Sequence, residues 1–204
     1  MKLHQRTLRK MSLIGLFSGI TYLLYLVRIP GFVFFPSFLE INLSEIPVFL
    51  VGFIYGPFAS ISALLFRFAI AIPFSTTSLI GETADLIYSA AFILPATLIY
   101  QSNRTKVGAL YGFIVGFFFQ LLATSFLNVY WVTDIYLDLY FGSAENFVGF
   151  IQQTNPYVVD PYWSLVWFVY LPFNMLKNTL IIATTLLIYK RVHLFIKKLN
   201  VSQP

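Results

Sequence analysis

The chain contains no cysteine. That excludes disulfides, thiolate nucleophiles and cysteine-based metal sites. Charge is nearly as scarce: Asp, Glu, Lys and Arg make up 10% of the 204 residues, against about 25% in a soluble domain. Too little polar surface remains to keep a water-soluble fold in solution. Histidine occurs only as His4 and His193, both in the terminal flanks, so none is placed as an intramembrane base or metal ligand. No G-x-x-x-x-G-K-[ST] loop, G-x-S-x-G elbow or H-E-x-x-H helix occurs, which removes the usual routes to nucleotide hydrolysis, acyl transfer and zinc-dependent hydrolysis.

What is present is apolar. Hydrophobic residues make up 58% of the chain and aromatic residues 19%, with a mean hydropathy of +0.79. Apolar runs cover 13–27, 86–100 and 107–127, the last broken by Gln120. Because about 20 mostly apolar residues carry a helix across about 30 Å of hydrocarbon, the sequence predicts an all-α integral membrane protein. The spans fall at about 11–27, 44–55, 58–72, 82–100, 107–131 and 161–189, giving a bundle of six transmembrane helices in one domain over 1–204. Gly56-Pro57 marks a tight turn, and 133–160 is expected to fold as an extracellular cap with short helices. The first run has basic residues before it, like a signal peptide, but lacks a small-residue cleavage site and reads as a retained helix.

The formal charge of +5 and pI near 9.4 would suggest a nucleic-acid partner in a soluble protein. Here the basic residues sit in the flank 1–10, in the loop at Arg104 and Lys106, and in the tail 190–204. With six crossings all of these fall on the cytoplasmic side, as the positive-inside rule expects. The acidic residues Glu40, Glu45, Glu82, Asp85, Asp134, Asp138, Glu145 and Asp160 take the other side, where Arg28 is the one basic residue. Basic charge therefore reports orientation, with both termini cytoplasmic and no nucleic acid implied.

Several polar residues fall inside the predicted spans, where a charge costs on the order of 3 kcal/mol and normally faces a bundle interior or a cavity. Arg67 and Lys177 are the two such cations. Arg67 either pairs with Glu82 or Asp85 or is free for a ligand. Asn174, Lys177 and Asn178 share one helix face, just after Pro172, which removes a backbone donor and frees a carbonyl one turn earlier. Gln120, Thr124 and Asn128 form a second stripe, and Glu82, Asp85 and Ser89 a third. Interhelical hydrogen bonds explain any one stripe; three stripes and two cations together favour a pocket open to the outside. The aromatic residues serve either as an interfacial belt or as a stacking surface. Gly15 and Gly19 lie on one face of the first helix, and Gly108, Gly112 and Gly116 on the fifth, a spacing that permits close helix approach. Packing within the bundle fits the fifth helix, and the first-helix pair suits either packing or docking of another subunit.

The stretches "FLEINLSEIPVFLVGFIYGPFASI" (38–61), "GETADLIYSAAFILPATLIY" (81–100), "SFLNVYW" (125–131) and "LPFNMLKN" (171–178) resemble the S-components of energy-coupling factor (ECF) vitamin transporters, in particular the riboflavin-specific type. The resemblance implies the substrate-binding membrane subunit of an ECF-type ABC importer in a bacterial cell membrane, with no enzymatic activity and no cofactor. It implies capture of riboflavin at the outer face, docking on a transmembrane coupling subunit driven by two ATP-binding subunits, and reorientation of the whole subunit after docking. Asn128, Asn174 and Lys177 stand where members hydrogen-bond the flavin ring, with Arg67, Asn178 and Thr124 as second contacts. Tyr130, Trp131 and Trp163 are expected to cover the ligand, Glu82 and Asp85 to balance the cations, and Gly15 and Gly19 to meet the coupling subunit. The chain departs from the family where Arg67 replaces a frequent Lys, Leu64 a frequent Glu and Asn178 a frequent Gly, and in its longer outer segment. Those departures keep pantothenate, pyridoxine or a pyrimidine precursor as alternative cargoes. Two readings of other classes are an intramembrane enzyme using Glu82 and Asp85, and an assembly subunit whose polar residues only knit helices.

Overall fold

A computed structural model describes residues 2–31 and 35–198. The last residues of the tail read as cytoplasmic, 199–204, lie outside the described residues, as do 1 and 32–34. The described residues fold chiefly into helical rods. They are α1 (Lys2–Leu26), α2 (Glu45–Tyr55), α3 (Pro57–Ala71, extended by a 3₁₀ turn at Ile72–Phe74), α4 (Ile80–Ser102), α5 (Lys106–Leu127) with its continuation, and the rod that ends the chain. Beyond α5 the helix does not stop near Trp131 as expected. It runs on through a π turn at Asn128–Val132, a short α6 (Thr133–Tyr136) and a second π turn at Leu137–Phe141. Gly142, with φ +69°, ends it in the left-handed conformation that glycine adopts without a Cβ penalty. A separate helix, α7 (Ala144–Gln152), follows. The last rod begins with α8 (Trp163–Leu165), passes through a π turn at Val166–Tyr170 and continues as α9 (Leu171–Lys198).

Four of these helices are long and apolar enough to cross a membrane: Pro57–Phe74, Ile80–Ser102, Lys106–Phe141 and Trp163–Arg191. The apolar parts of the first two rods, Lys10–Leu26 and Glu45–Tyr55, are shorter. At 1.5 Å per residue α2 measures about 16 Å, roughly half the hydrocarbon thickness. Ten of its eleven residues are buried, so it is the central post of the bundle, packed by α1, α3, α4 and α9. A helix apolar all round belongs in such a place. Between α1 and α2 runs a strap in which β1 (Ile29–Pro30) pairs antiparallel with β2 (Glu40–Ile41).

Rings fill the core around α2. Phe49 meets Phe92 edge-on at 4.8 Å and Phe113 at 4.9 Å, the geometry that ring quadrupoles favour. α4 and α5 touch backbone to backbone: a Cβ on Gly112 would stand 2.6 Å from the Ala96 carbonyl oxygen, and one on Gly116 would strike that of Phe92. Nothing lies within 4 Å of a Cβ on Gly15 or Gly19, so that pair faces off the bundle. Gly56, at φ +97°, makes the α2–α3 turn that a side chain would strain.

Local chemistry explains the ends of the last rod. Asp160 accepts the N–H of Tyr162 at 2.8 Å and of Ser164 at 3.0 Å, opening α8. Burial works against the charged form of Asp160, but these donors outweigh it and hold the carboxyl below its usual range. Pro172 cannot donate to the carbonyl four residues back. That carbonyl, on Phe168, receives the Asn155 side-chain amide at 2.9 Å.

Candidate ligand-binding site

Residues of the connections 27–31, 35–44, 72–79 and 142–162 line one cavity of about 210 Å³ with the helix ends they join. The α1, α4, α5 and α9 rods line it together with the connections and α7, whereas α2 and α3 supply no wall residue. Between the π turns at Asn128–Val132 and Val166–Tyr170, polar side chains of the α5 and α9 rods come to face α4 across the gap. π turns shift the side-chain register by one residue and often mark functional sites.

Asn128, Asn174, Lys177 and Thr124 all line the cavity, and their exposures are only 4%, 7%, 8% and 2%. Asn128 donates from Nδ2 to the Thr124 carbonyl at 2.8 Å. Asn174 donates to the Tyr170 carbonyl at 2.8 Å and accepts from Gln120 Nε2 at 2.9 Å. Gln120 in turn accepts from Asn178 Nδ2 at 2.9 Å. Asn178 thus supports Asn174 from behind and is not part of the cavity wall.

Arg67 does not stand free. It is 2% exposed, forms an ion pair with Asp85, and donates to Ser44 Oγ at 2.6 Å and Ser89 Oγ at 3.3 Å. The Tyr25 ring lies 5.0 Å from its guanidinium carbon. Burial of a guanidinium demands such saturation, and it leaves Arg67 behind the cavity wall, not on it. Lys177 shares the arrangement: its Nζ lies 2.8 Å from Glu45 and 3.8 Å from Asp85. Glu45, 3% exposed, also accepts from Ser89 Oγ at 3.3 Å. Two cations and two carboxylates therefore form one cluster with Ser44 and Ser89, buried except at Asp85, which reaches the cavity wall. The sequence reading missed Glu45, grouping it with the acidic residues of the outer side. The signal available was its place in "SEIP" at the start of a wholly apolar helix, where a carboxylate needs a cation.

Glu82 lines the cavity but balances no cation directly: among the described residues it accepts from Ser75 Oγ at 2.8 Å and Thr77 Oγ1 at 2.6 Å. The expected aromatic cover is also placed elsewhere. Tyr130 and Trp163 are more than half exposed, Trp131 packs beside Ile80 and Ala84, and none of the three faces the cavity. The rings on the wall are instead those of Tyr25, Phe38, Tyr88, Tyr136, Phe147, Tyr170 and Phe173. At the mouth, Arg28 pairs with Glu40 at 3.2 Å. Among the described residues no cluster of ligating side chains suits a metal ion.

Comparison with known proteins agrees with this architecture. Residues 9–189 match the sequence profile of the family described as "ECF transporter, substrate-specific component". The chain is 26% identical over 198 residues to the riboflavin transporter RibU of Staphylococcus aureus (strain TCH60), covering 97% of each. It is 25% identical over 131 residues to the riboflavin transporter FmnP of Bacillus subtilis (strain 168), covering 63% of this chain and 68% of that one. Its fold superposes on a solved structure described as the S component of a bacterial ECF transporter with a TM-score of 0.71 and 25% identity, over 94% of this chain and 99% of that one. The family and these relatives are transporter substrate-binding components, not enzymes. The chain belongs to the substrate-specific components of ECF transporters.

Proposed function

We propose that the chain captures riboflavin at the outer face of a bacterial cytoplasmic membrane and delivers it to an ECF importer. The observation that supports this most strongly is unused hydrogen-bonding capacity on one wall of the cavity. A side-chain amide offers two donor hydrogens and two acceptor lone pairs, and an ammonium three hydrogens. Asn128 employs one hydrogen, Asn174 one hydrogen and one lone pair, and Lys177 is held chiefly by Glu45. What remains is a set of buried donors and acceptors opposite aromatic walls, suited to a flat ring with a polar edge. Such a site penalises molecules lacking matching groups.

Charge on the wall supports a neutral cargo. Arg28 and Lys177 face Glu40, Glu82 and Asp85 there, a surplus of one carboxylate. With Arg67 engaged by Asp85, the ground for an anionic vitamin falls away. In this reading six rods cross the bilayer, both termini lie in the cytoplasm, and the strap and α7 lie outside. The open face at Gly15 and Gly19 meets the coupling subunit, which two ATP-binding subunits energise.

The test is mass spectrometry of small molecules released by denaturing the freshly purified protein, with its visible absorption spectrum, followed by titration of the emptied protein. Flavin in near-stoichiometric amount, and saturable riboflavin binding, are expected. A different vitamin in that position, with no riboflavin binding, would overturn the cargo and leave the family role standing.

A further inference from the structure

Three buried hydroxyls around the cavity have no hydrogen-bond partner among the described residues: Tyr88 Oη on α4, Thr124 Oγ1 on α5 and Thr133 Oγ1 on α6. All three residues line the cavity. Away from the cavity one further buried hydroxyl, Tyr55 Oη at the end of α2, is also unpartnered, but the other buried threonines and Ser18 are satisfied within their own helices. Ser18, Thr21, Thr97 and Thr185 each donate to the carbonyl four residues back, the default for such residues on an apolar helix. Thr133 departs from it where the π turn shifts the carbonyl register, its N–H bonding to the Asn128 carbonyl. Tyr88 stands beside Asn128, and Thr133 beside the Tyr170 hydroxyl, yet neither contact closes into a bond of normal geometry.

An unpaired buried hydroxyl is unfavourable, and native proteins hold few of them. Three around one cavity mean that the missing partner enters the cavity. We propose that Tyr88, Thr124 and Thr133 form a specificity-determining cluster that hydrogen-bonds the polar edge of the ligand's heteroaromatic ring, an inference that rests on the proposed riboflavin site. Hydroxyls donate and accept, so the cluster complements an edge that alternates ring nitrogens and carbonyls. Each oxygen is withdrawn from the surface. Rotation of either threonine about χ1 to another staggered well exchanges its methyl group for Oγ1, which couples ring entry to a change in the wall. The rings of Tyr136 and Tyr170 flank the cluster, whereas the mouth carries the exposed Arg28–Glu40 pair, where a flexible polyol tail remains hydrated.

The experiment uses the full chain and the substitutions Tyr88→Phe, Thr124→Val and Thr133→Val, singly and together. Dissociation constants are measured for riboflavin and for lumiflavin, which has the same ring with a methyl group in place of the ribityl tail, alongside the melting temperature of the ligand-free protein. Each substitution is expected to weaken both flavins about tenfold, with the ligand-free melting temperature unchanged or raised because no bond within the protein is lost. Unchanged riboflavin affinity in the triple variant overturns this inference and leaves the riboflavin site intact. Weaker riboflavin with unchanged lumiflavin overturns ring-edge recognition, and a lowered ligand-free melting temperature overturns the unpaired state of the hydroxyls. A wild-type protein that binds neither flavin overturns both the inference and the function on which it rests.

Discussion

Asn128 and Asn174 differ in what else depends on them. Asn174 closes a relay through Gln120 to Asn178, whereas Asn128 bonds only the Thr124 carbonyl of its own helix. Asn128→Ala is therefore expected to weaken riboflavin binding by about ten- to a hundredfold with little change in melting temperature, a loss of 1–3 kcal/mol typical of buried hydrogen bonds. Titration beside a thermal melt checks it. Lys177→Ala should behave differently, because it strands the Glu45 carboxylate in the core. Removing one partner of a buried pair costs about 3–5 kcal/mol, so loss of folded protein in detergent is expected, and Glu45→Gln combined with Lys177→Gln should restore folding without restoring flavin binding. A Lys177→Ala protein as stable as the parent would contradict the pairing. Helical spacing was enough to bring Asn174, Lys177 and Asn178 to one face and to mark Arg67 as buried. It gave no access to Glu45, whose partner lies at the far end of the chain, nor to the exposure of Tyr130 and Trp163, which depends on how the rods pack.

At the level of helices, two glycine pairs with the same spacing have opposite surroundings. Gly112 presses on the Ala96 carbonyl, while Gly15 meets nothing within 4 Å. Gly112→Val should separate α4 from α5 and cost about 1–3 kcal/mol, as overpacking does, seen as a lower melting temperature and yield. Gly15→Leu with Gly19→Leu should leave the melting temperature and riboflavin affinity of the isolated subunit unchanged, yet reduce co-purification with the coupling subunit. Intact co-purification would remove that face from the docking surface. Sequence spacing alone leaves the two pairs alike because it counts residues along one helix and carries nothing about its neighbour. For the same reason the boundaries of α3 and α4 were legible from Pro73 and Glu82, while the extension of α5 to Phe141 was hidden: its residues are polar enough to read as a loop, and only their packing against Phe147 and Tyr162 shows otherwise.

Over the whole molecule, membrane class followed directly from the shortage of charge and the length of the apolar runs, since few other solvents tolerate such a composition. The sign of the cavity did not, because it depends on which carboxylates meet which cations in space. With a surplus carboxylate on the wall, the riboflavin phosphate ester FMN is expected to bind at least about tenfold more weakly than riboflavin, since an unmatched like charge discriminates strongly. Competition titration decides it, and equal affinities would mean that the phosphate lies in bulk water. The ion-paired quartet of Glu45, Arg67, Asp85 and Lys177 has a further consequence for descent. α3 carries Leu64 where the resemblance leads one to expect an acid, while Asp85 on α4 holds the arginine. Neutrality is a property of the set, so acids and bases can change position across the lineage when they change together. Homologues should therefore show these four sites varying as a correlated group, and a chimera that exchanges α3 alone between two members should fail where one exchanging α2, α3, α4 and α9 together folds.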